Sequence, residues 1–342
     1  MKRWLGVLFP LIAGCSSSSS SPVTVQDAAA PPTGDDGSVV MPPQQDGAAP
    51  PFDGGNGNGN DATTPPGDAS KPPMPDAGNG AAAACNAYAS AFCTQLAACS
   101  SIALGAAFGD ENTCATRVAL SCVGILAAPG TSATVAATNS CASAIPSTSC
   151  IPFLNGDLGP SCAVGAGSVA ANGACAFDSQ CATKFCALAP NTLCGTCQTP
   201  TTAGGSCNNG ACSSGTYCDT KNNTCVASNP SDAGAVACDI QQQCDLAHGV
   251  ACDAVNHTCD YSLTIANPGG TCGLPGGAFS KAVVACPAGG VCPGLSASMT
   301  SSTCVAAAND GQSCDLTNGP GCLAPAVCAS GKCSLRDGAS CH

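Results

Sequence analysis

The chain has 342 residues, of which 31 are Cys, about 9%, a density that marks a disulfide scaffold rather than an ordinary apolar core. Leu, Ile, Val and Phe together make about 15%, below the roughly 20% at which burial alone folds a chain, and this excludes two enzyme-sized cores. The formal net charge is −12, or −14 without Lys2 and Arg3, with no basic stripe, so nucleic-acid binding and electrostatic docking onto anionic lipid are disfavoured.

Lys2 and Arg3 precede an apolar run from Trp4 to Ala13. The run is about half of the ~20 residues needed to span a bilayer, and residues 1–14 have the layout of a secretory signal. Ile12-Ala13-Gly14-Cys15 resembles a bacterial lipobox, in which the Cys thiol takes a diacylglycerol. Cys15 is therefore the expected lipidation site. Two features agree: a Ser run starts at Ser16, and 31 cysteines become an even 30 once Cys15 is set aside. Acyl chains anchor at ~0.8 kcal/mol per buried CH₂. Ser16, where the familiar sorting signal for retention has Asp, resembles an outer-membrane address. The expected location is the cell envelope, facing periplasm or cell surface.

Residues 15–80 read as a disordered tether rich in Pro, Gly, Asp, Ala and Ser. Eight Asp face one Lys between residues 16 and 84, and such a segment cannot bury enough surface to offset its ordering entropy. Gly54 to Asp61 faintly echoes a Gly/Asp calcium repeat, but a single copy reads as linker.

Residues 81–162 carry eight Cys at helical spacing. Cys85, Tyr88, Phe92, Leu96 and Cys99 fall on one face, as do Cys114, Val118, Cys122 and Ile125 on the next segment, and Val135, Thr138, Cys141 and Ile145 on a third. Asp110 or Asn112 can cap the second helix, and Pro129-Gly130 ends it. Three short helices are expected, the first two forming a hairpin. Antiparallel packing then suggests the pairs Cys99 with Cys114 and Cys93 with Cys122, although sequence alone does not fix pairing.

Residues 163–342 lose the helical period. Four-Cys modules recur at Cys207 to Cys225, Cys238 to Cys259, Cys272 to Cys304 and Cys314 to Cys333, preceded by a five-Cys version from Cys175 to Cys197. Gly204, Gly269, Gly311 and Gly338 stand three residues before a Cys, as turns between modules would need. Each module is too small for its own core. Short two-stranded β-pieces are expected, with bridges first to third and second to fourth. The extra Cys of the first version and the isolated Cys341 imply one bond outside that scheme. The fold class is thus small and disulfide-rich: a short helical Cys-rich unit, then repeated loop and short-β modules, preceded by the tether.

On Cys175-x5-Cys181-x4-Cys186, Cys194-x2-Cys197 and the Gly-x-x-Cys openings, residues 175–341 resemble the Dickkopf N-terminal cysteine-rich domain. The whole chain resembles uncharacterised Cys-rich lipoproteins of myxobacterial type. The resemblance implies the architecture of an extracellular binding module, not a signalling role. Thirteen residues separate Cys272 from Cys286, a departure from that pattern.

No catalytic constellation is evident. Cys194-x-x-Cys197 could be a redox pair or half a zinc site, but in an exported chain reads as structural cystine. His248, His257 and His342 read as loop residues, and Glu111, the only Glu, as a helix-start residue. Asp239, Asp245, Asp253 and Asp260 follow cysteines and could gather Ca²⁺; the alternative is Asx-turns beside bridges, and no other cofactor is indicated. The expected role is a lipid-anchored binding, adhesion or structural module for a protein or peptide partner, not an enzyme. The alternatives are an enzyme inhibitor, an envelope enzyme or a metal-thiolate store.

Overall fold

The Ala-rich stretch after Gly80 is the strongest helix former in the chain, and it forms helix α1, Asn79–Cys99. The helix begins two residues before the expected start of the helical unit at residue 81. The computed structural model describes residues 79–154, 156–189, 191–207, 212–213, 216–219, 222–227, 244–245, 249–253, 258–275, 281–295 and 300–341. Ser100 ends α1 and caps α2, Ser101–Ala107, accepting from the Ala103 N–H at 3.0 Å. Asp110 caps α3, Glu111–Ala127, accepting from the backbone N–H and hydroxyl of Thr113, both at 2.8 Å. These bonds, the backbone one first, hold the Asp110 carboxyl below its ordinary pKa. Helix α4, Val135–Ala144, is capped by Thr134, and α5 spans Cys150–Leu154. The three helical periods are thus present, with α2 and α5 added in the connections.

The cross-links depart from the expected pairs. Cys93 bonds Cys114 rather than Cys122, Cys85 bonds Cys122, and Cys99 bonds Cys150 rather than Cys114. The reason is register. Cys85 and Cys93 are eight residues apart, as are Cys114 and Cys122. Eight residues advance a helix by about 12 Å and two turns plus about 80°, so antiparallel helices that match at one pair match at the other. Cys93 and Cys99 are six apart, about 9 Å, and cannot register with that interval. The insertion of α2 also carries the chain away from Cys99 before α3 begins, which leaves Cys99 for α5. Cys141–Cys162 ties α4 to the following turn. Phe108, Phe153, Leu96 and Ile145 fill the small core between these bonds.

The cysteine modules obey the alternation. First-to-third and second-to-last bonds are Cys175–Cys186 with Cys181–Cys197, Cys272–Cys292 with Cys286–Cys304, and Cys314–Cys328 with Cys322–Cys333. In the second and third modules the second-to-fourth bonds are Cys212–Cys225 and Cys244–Cys259; their other cysteines involve side chains outside the described set. A common backbone closure underlies four of the modules. The N–H of the last Cys donates to the carbonyl two residues before the first Cys: Cys197 to Gly173, Cys225 to Gly205, Cys304 to Gly270 and Cys333 to Gln312, at 2.8–2.9 Å. In three of these the preceding residue also returns a bond from its own N–H to the last Cys carbonyl, as Asn172, Gly204 and Gly311 do. Asn172, Gly204, Gly269 and Gly311 all have positive φ, so the predicted turn role of the opening glycines holds at three positions.

Gly338 is the exception and is required for a different reason. It lies in a 3-10 turn, where an added Cβ would sit 2.4 Å from the Ala128 Cβ at the end of α3. Gly338→Ala should therefore destabilise the protein by about 1–3 kcal/mol through overpacking. Gly204→Ala, which meets open space at φ +84°, should cost about 1–2 kcal/mol from backbone strain alone. Denaturant titration of both variants checks this, with the Gly338 penalty relieved by a further Ala128→Gly change and the Gly204 penalty unaffected by it.

The strands are β1 Ala174–Cys175, β2 Cys186–Ala187, β3 Gly195–Cys197, β4 Thr216–Asp219, β5 Thr224–Ala227, β6 Val250–Asp253, β7 Thr258–Ile265, β8 Thr271–Gly273, β9 Ala282–Ala285, β10 Ser301–Thr303, β11 Val327–Ala329 and β12 Lys332–Ser334. The pairs β4-β5 and β11-β12 are the expected two-stranded pieces, and β1-β3-β2 adds a third strand. The third and fourth modules instead merge into one sheet, ordered β10-β8-β9-β7-β6. Its seam is the parallel pair β7-β9. The unusually long Cys272–Cys286 interval supplies β9, whose Val283 and Val284 give it the β-branched character a strand favours.

Helices and modules belong to one compact unit, and three polar joints illustrate what holds them together. Arg117 on α3 donates to both carboxylate oxygens of Asp310 at 2.6 and 2.7 Å, and to the carbonyls of Ala324 and Leu323 at 3.0 Å. The N–H groups of Ala288 and Gly289 donate to the Gly105 and Ala106 carbonyls at the end of α2; the Gly105 carbonyl also accepts the Gly109 N–H, and the Ala106 carbonyl is one that the helix leaves free. Gln180, 2% exposed, accepts from the Ala176 and Phe177 N–H groups and donates to the Pro129 and Gly338 carbonyls.

Candidate functional site

Tyr88 and Phe92 are one turn apart on α1, with ring centroids 6.1 Å apart, and Phe153 of α5 lies 5.2 Å from Phe92. This aromatic row lines an apolar cleft of about 420 Å³. Val118, Cys122 and Ile125 of α3 form a second wall, and the segment from Gly156 to Val164 a third. The volume lies in the lower part of the ~300–1,000 Å³ range of small-molecule sites. Two cystines, Cys85–Cys122 and Cys141–Cys162, contribute one residue each to the lining, Cys122 and Cys162, so the walls are covalently tied. The only ionisable groups on it are Tyr88 and Asp157, and Asp157 accepts the Gly159 N–H at 3.3 Å.

The residues singled out from the sequence do not gather here. Cys15, the tether, Asp239 and the three histidines lie outside the described residues. Of the other aspartates considered for Ca²⁺, Asp253 is described only through its backbone in β6, and Asp260 pairs with Lys281. Among the described residues the only groups dense enough for a metal are cysteine clusters such as Cys175, Cys181 and Cys186. Their sulfurs already belong to neighbouring cystines. Asp315 forms the Asx-turn considered as the alternative, accepting the Thr317 and Asn318 N–H groups, and these bonds hold its carboxyl below the ordinary pKa.

Cys194 and Cys197 are not bonded to each other. Cys197 closes the first module through Cys181, and Cys194 reaches Cys341 across 147 residues. That is the bond outside the module scheme which the odd Cys and the isolated Cys341 required. Glu111 sits in the first turn of α3 and accepts from the Thr94 hydroxyl. The cleft itself was not visible as a site in the sequence. Tyr88, Phe92 and Phe153 are a tyrosine and phenylalanines at core spacing, and only the distance between helices decides whether such residues meet or leave a gap.

No family model, no curated protein and no solved structure matches the chain. Every cysteine whose side chain is described is disulfide-bonded, which is the state of proteins made for oxidising extracellular or envelope compartments. No helix among the described residues is long and apolar enough to cross a membrane.

Proposed function

We propose that this chain is a cell-envelope lipoprotein, anchored through lipid on Cys15, that presents a disulfide-stapled recognition module to a protein or peptide partner at the outer membrane. The observation that carries the reading is the complete cystine pairing of the described cysteines, with Cys194–Cys341 joining the first module to the last. Loops held between such bridges lose little conformational freedom on binding, which favours recognition. The lipobox-like Ile12-Ala13-Gly14-Cys15 and the polar stretch that follows supply an anchor and a spacer. The resemblance of residues 175–341 to the Dickkopf N-terminal domain points to the same architecture.

The anchor is tested by expressing the wild type and Cys15→Ala with radiolabelled palmitate, followed by detergent phase partition. The wild type should carry label and enter the detergent phase. Cys15→Ala should carry none and enter the aqueous phase. Unlabelled wild-type protein in the aqueous phase would end the lipoprotein reading. The recognition role is tested by chemical crosslinking on intact cells, where a reproducible partner lost on reduction of the disulfides is expected, and turnover of a substrate with no crosslinked partner would replace it with an enzymatic role.

A further inference from the structure

We infer that the cleft between α1, α3 and α5 is a binding site for a small, neutral, mainly apolar molecule carrying one carbonyl or ether oxygen, with the Tyr88 hydroxyl as its hydrogen-bond donor. This site is separate from the anchor and from the loop modules, and its test does not depend on either.

Tyr88 is 4% exposed, and its hydroxyl has no hydrogen-bond partner among the described residues. The hydroxyl oxygen is not among the fully buried polar atoms left unpaired, so it still reaches solvent, and Tyr rather than Phe at such a position is usually explained by a partner for its O–H. No group among the described residues supplies one, and the residue lines the cleft. A ligand oxygen, or water in its absence, is what remains to satisfy it. Burial pushes the Tyr88 phenol well above its ordinary pKa, so it stays protonated and serves as a donor. The ligand must therefore present an acceptor.

The charge of the ligand follows from the lining. No Lys, Arg or His faces the cleft, and Asp157 is the one charged group on it. An anion would be desolvated without a counter-charge and repelled by Asp157, which disfavours carboxylates and phosphates. A cation would find one carboxylate, that of the exposed Asp157, and would otherwise be desolvated against an apolar lining. A neutral molecule suits the remaining surface of aromatic rings, Val118, Ile125 and Leu158.

The probes are acetophenone, ethylbenzene and benzoate, which share a ring but differ in acceptor and charge. Each is titrated into the purified, oxidised full chain and followed by amide NMR. Acetophenone should give saturable shifts confined to α1 near Tyr88 and to α5. Ethylbenzene should bind more weakly at the same place, and benzoate should give no shifts there. Tyr88→Phe should weaken acetophenone about 2- to 10-fold, the worth of one neutral hydrogen bond, leave ethylbenzene within about 2-fold, and leave the thermal midpoint unchanged or higher. Equal affinity for acetophenone and ethylbenzene in the wild type, benzoate binding at the cleft, or no saturable shift would each overturn the inference. So would nuclear Overhauser contacts from Tyr88 or Phe153 to residues before Asn79, which would show the chain filling its own cleft.

Discussion

Full reduction of the purified protein under native conditions should abolish its fold. The helical segment alone is held by Cys85–Cys122, Cys93–Cys114, Cys99–Cys150 and Cys141–Cys162. At about 2–4 kcal/mol for each bridge, their sum is comparable to the whole stability of a typical domain, about 5–15 kcal/mol, even if overlapping loops make them less than additive. What would be left is α1, whose 21 residues include Gly80 near one end and a run of alanines, and an isolated helix of this size is marginal in water. The modules would retain less, since cystines are their buried centres: the first module's core is Cys175, Cys181, Cys186 and Cys197, joined at its edge by Val169 and Leu188. Reduction followed by alkylation should collapse amide dispersion and remove most of the helical circular dichroism. A reduced, alkylated sample that kept a dispersed spectrum would show that apolar packing suffices. The order of reduction is also set: Cys194 is the one exposed cysteine among the described residues, so Cys194–Cys341 should open first and the fully buried Cys93–Cys114 late.

The parts of this architecture that were legible in the sequence are those governed by local period or by parity. Helical spacing located α1, α3 and α4 because their buried residues recur every three or four positions. The alternating bonds were legible because four cysteines in a unit with no core of its own have few ways to close. Cys194–Cys341 was legible from counting. The nested hairpin pairs were misjudged because the sequence gives no direct measure of where α2 would turn the chain, although the matched eight-residue intervals were there to be used. The merged five-stranded sheet was missed for a related reason. Its strand β9 lies inside a loop that stood out only by its length, and pairing in parallel with β7 requires contacts far apart in the chain. The cleft was illegible because it is a space between elements rather than a property of any one of them. Gln180 offered no local signal, since its four bonds reach residues before and after it in three separate segments. Arg117 did offer one. It stands beside Val118 and three residues after Cys114, on the face of α3 that is otherwise apolar, and a cation there calls for a buried acceptor.

Arg117→Ala should therefore be the most damaging substitution of a polar side chain at the contact between α3 and the last module. Arg117 is 8% exposed, and its guanidinium satisfies two backbone carbonyls and a carboxylate at once. Removing it leaves the Ala324 and Leu323 carbonyls without their donor and Asp310 without its counter-charge. Breaking one side of a buried pair typically costs about 3–5 kcal/mol. Asp310 keeps 29% of its side chain exposed, so water recovers part of its solvation and about 2–3 kcal/mol is expected. The loss should be felt where the last module meets α3, as faster amide exchange around Asp310, Leu323 and Ala324 with the Cys314–Cys328 and Cys322–Cys333 bonds intact. A double-mutant cycle with Asp310→Ala separates the ion pair from the carbonyl bonds. If Asp310 carries most of the effect, Arg117→Ala should add little once Asp310 is gone. If the carbonyls carry it, most of the cost should persist. Denaturant titration with the disulfides oxidised reads both, and a wild-type midpoint in Arg117→Ala would show that the other contacts between the last module and the helices suffice without this joint.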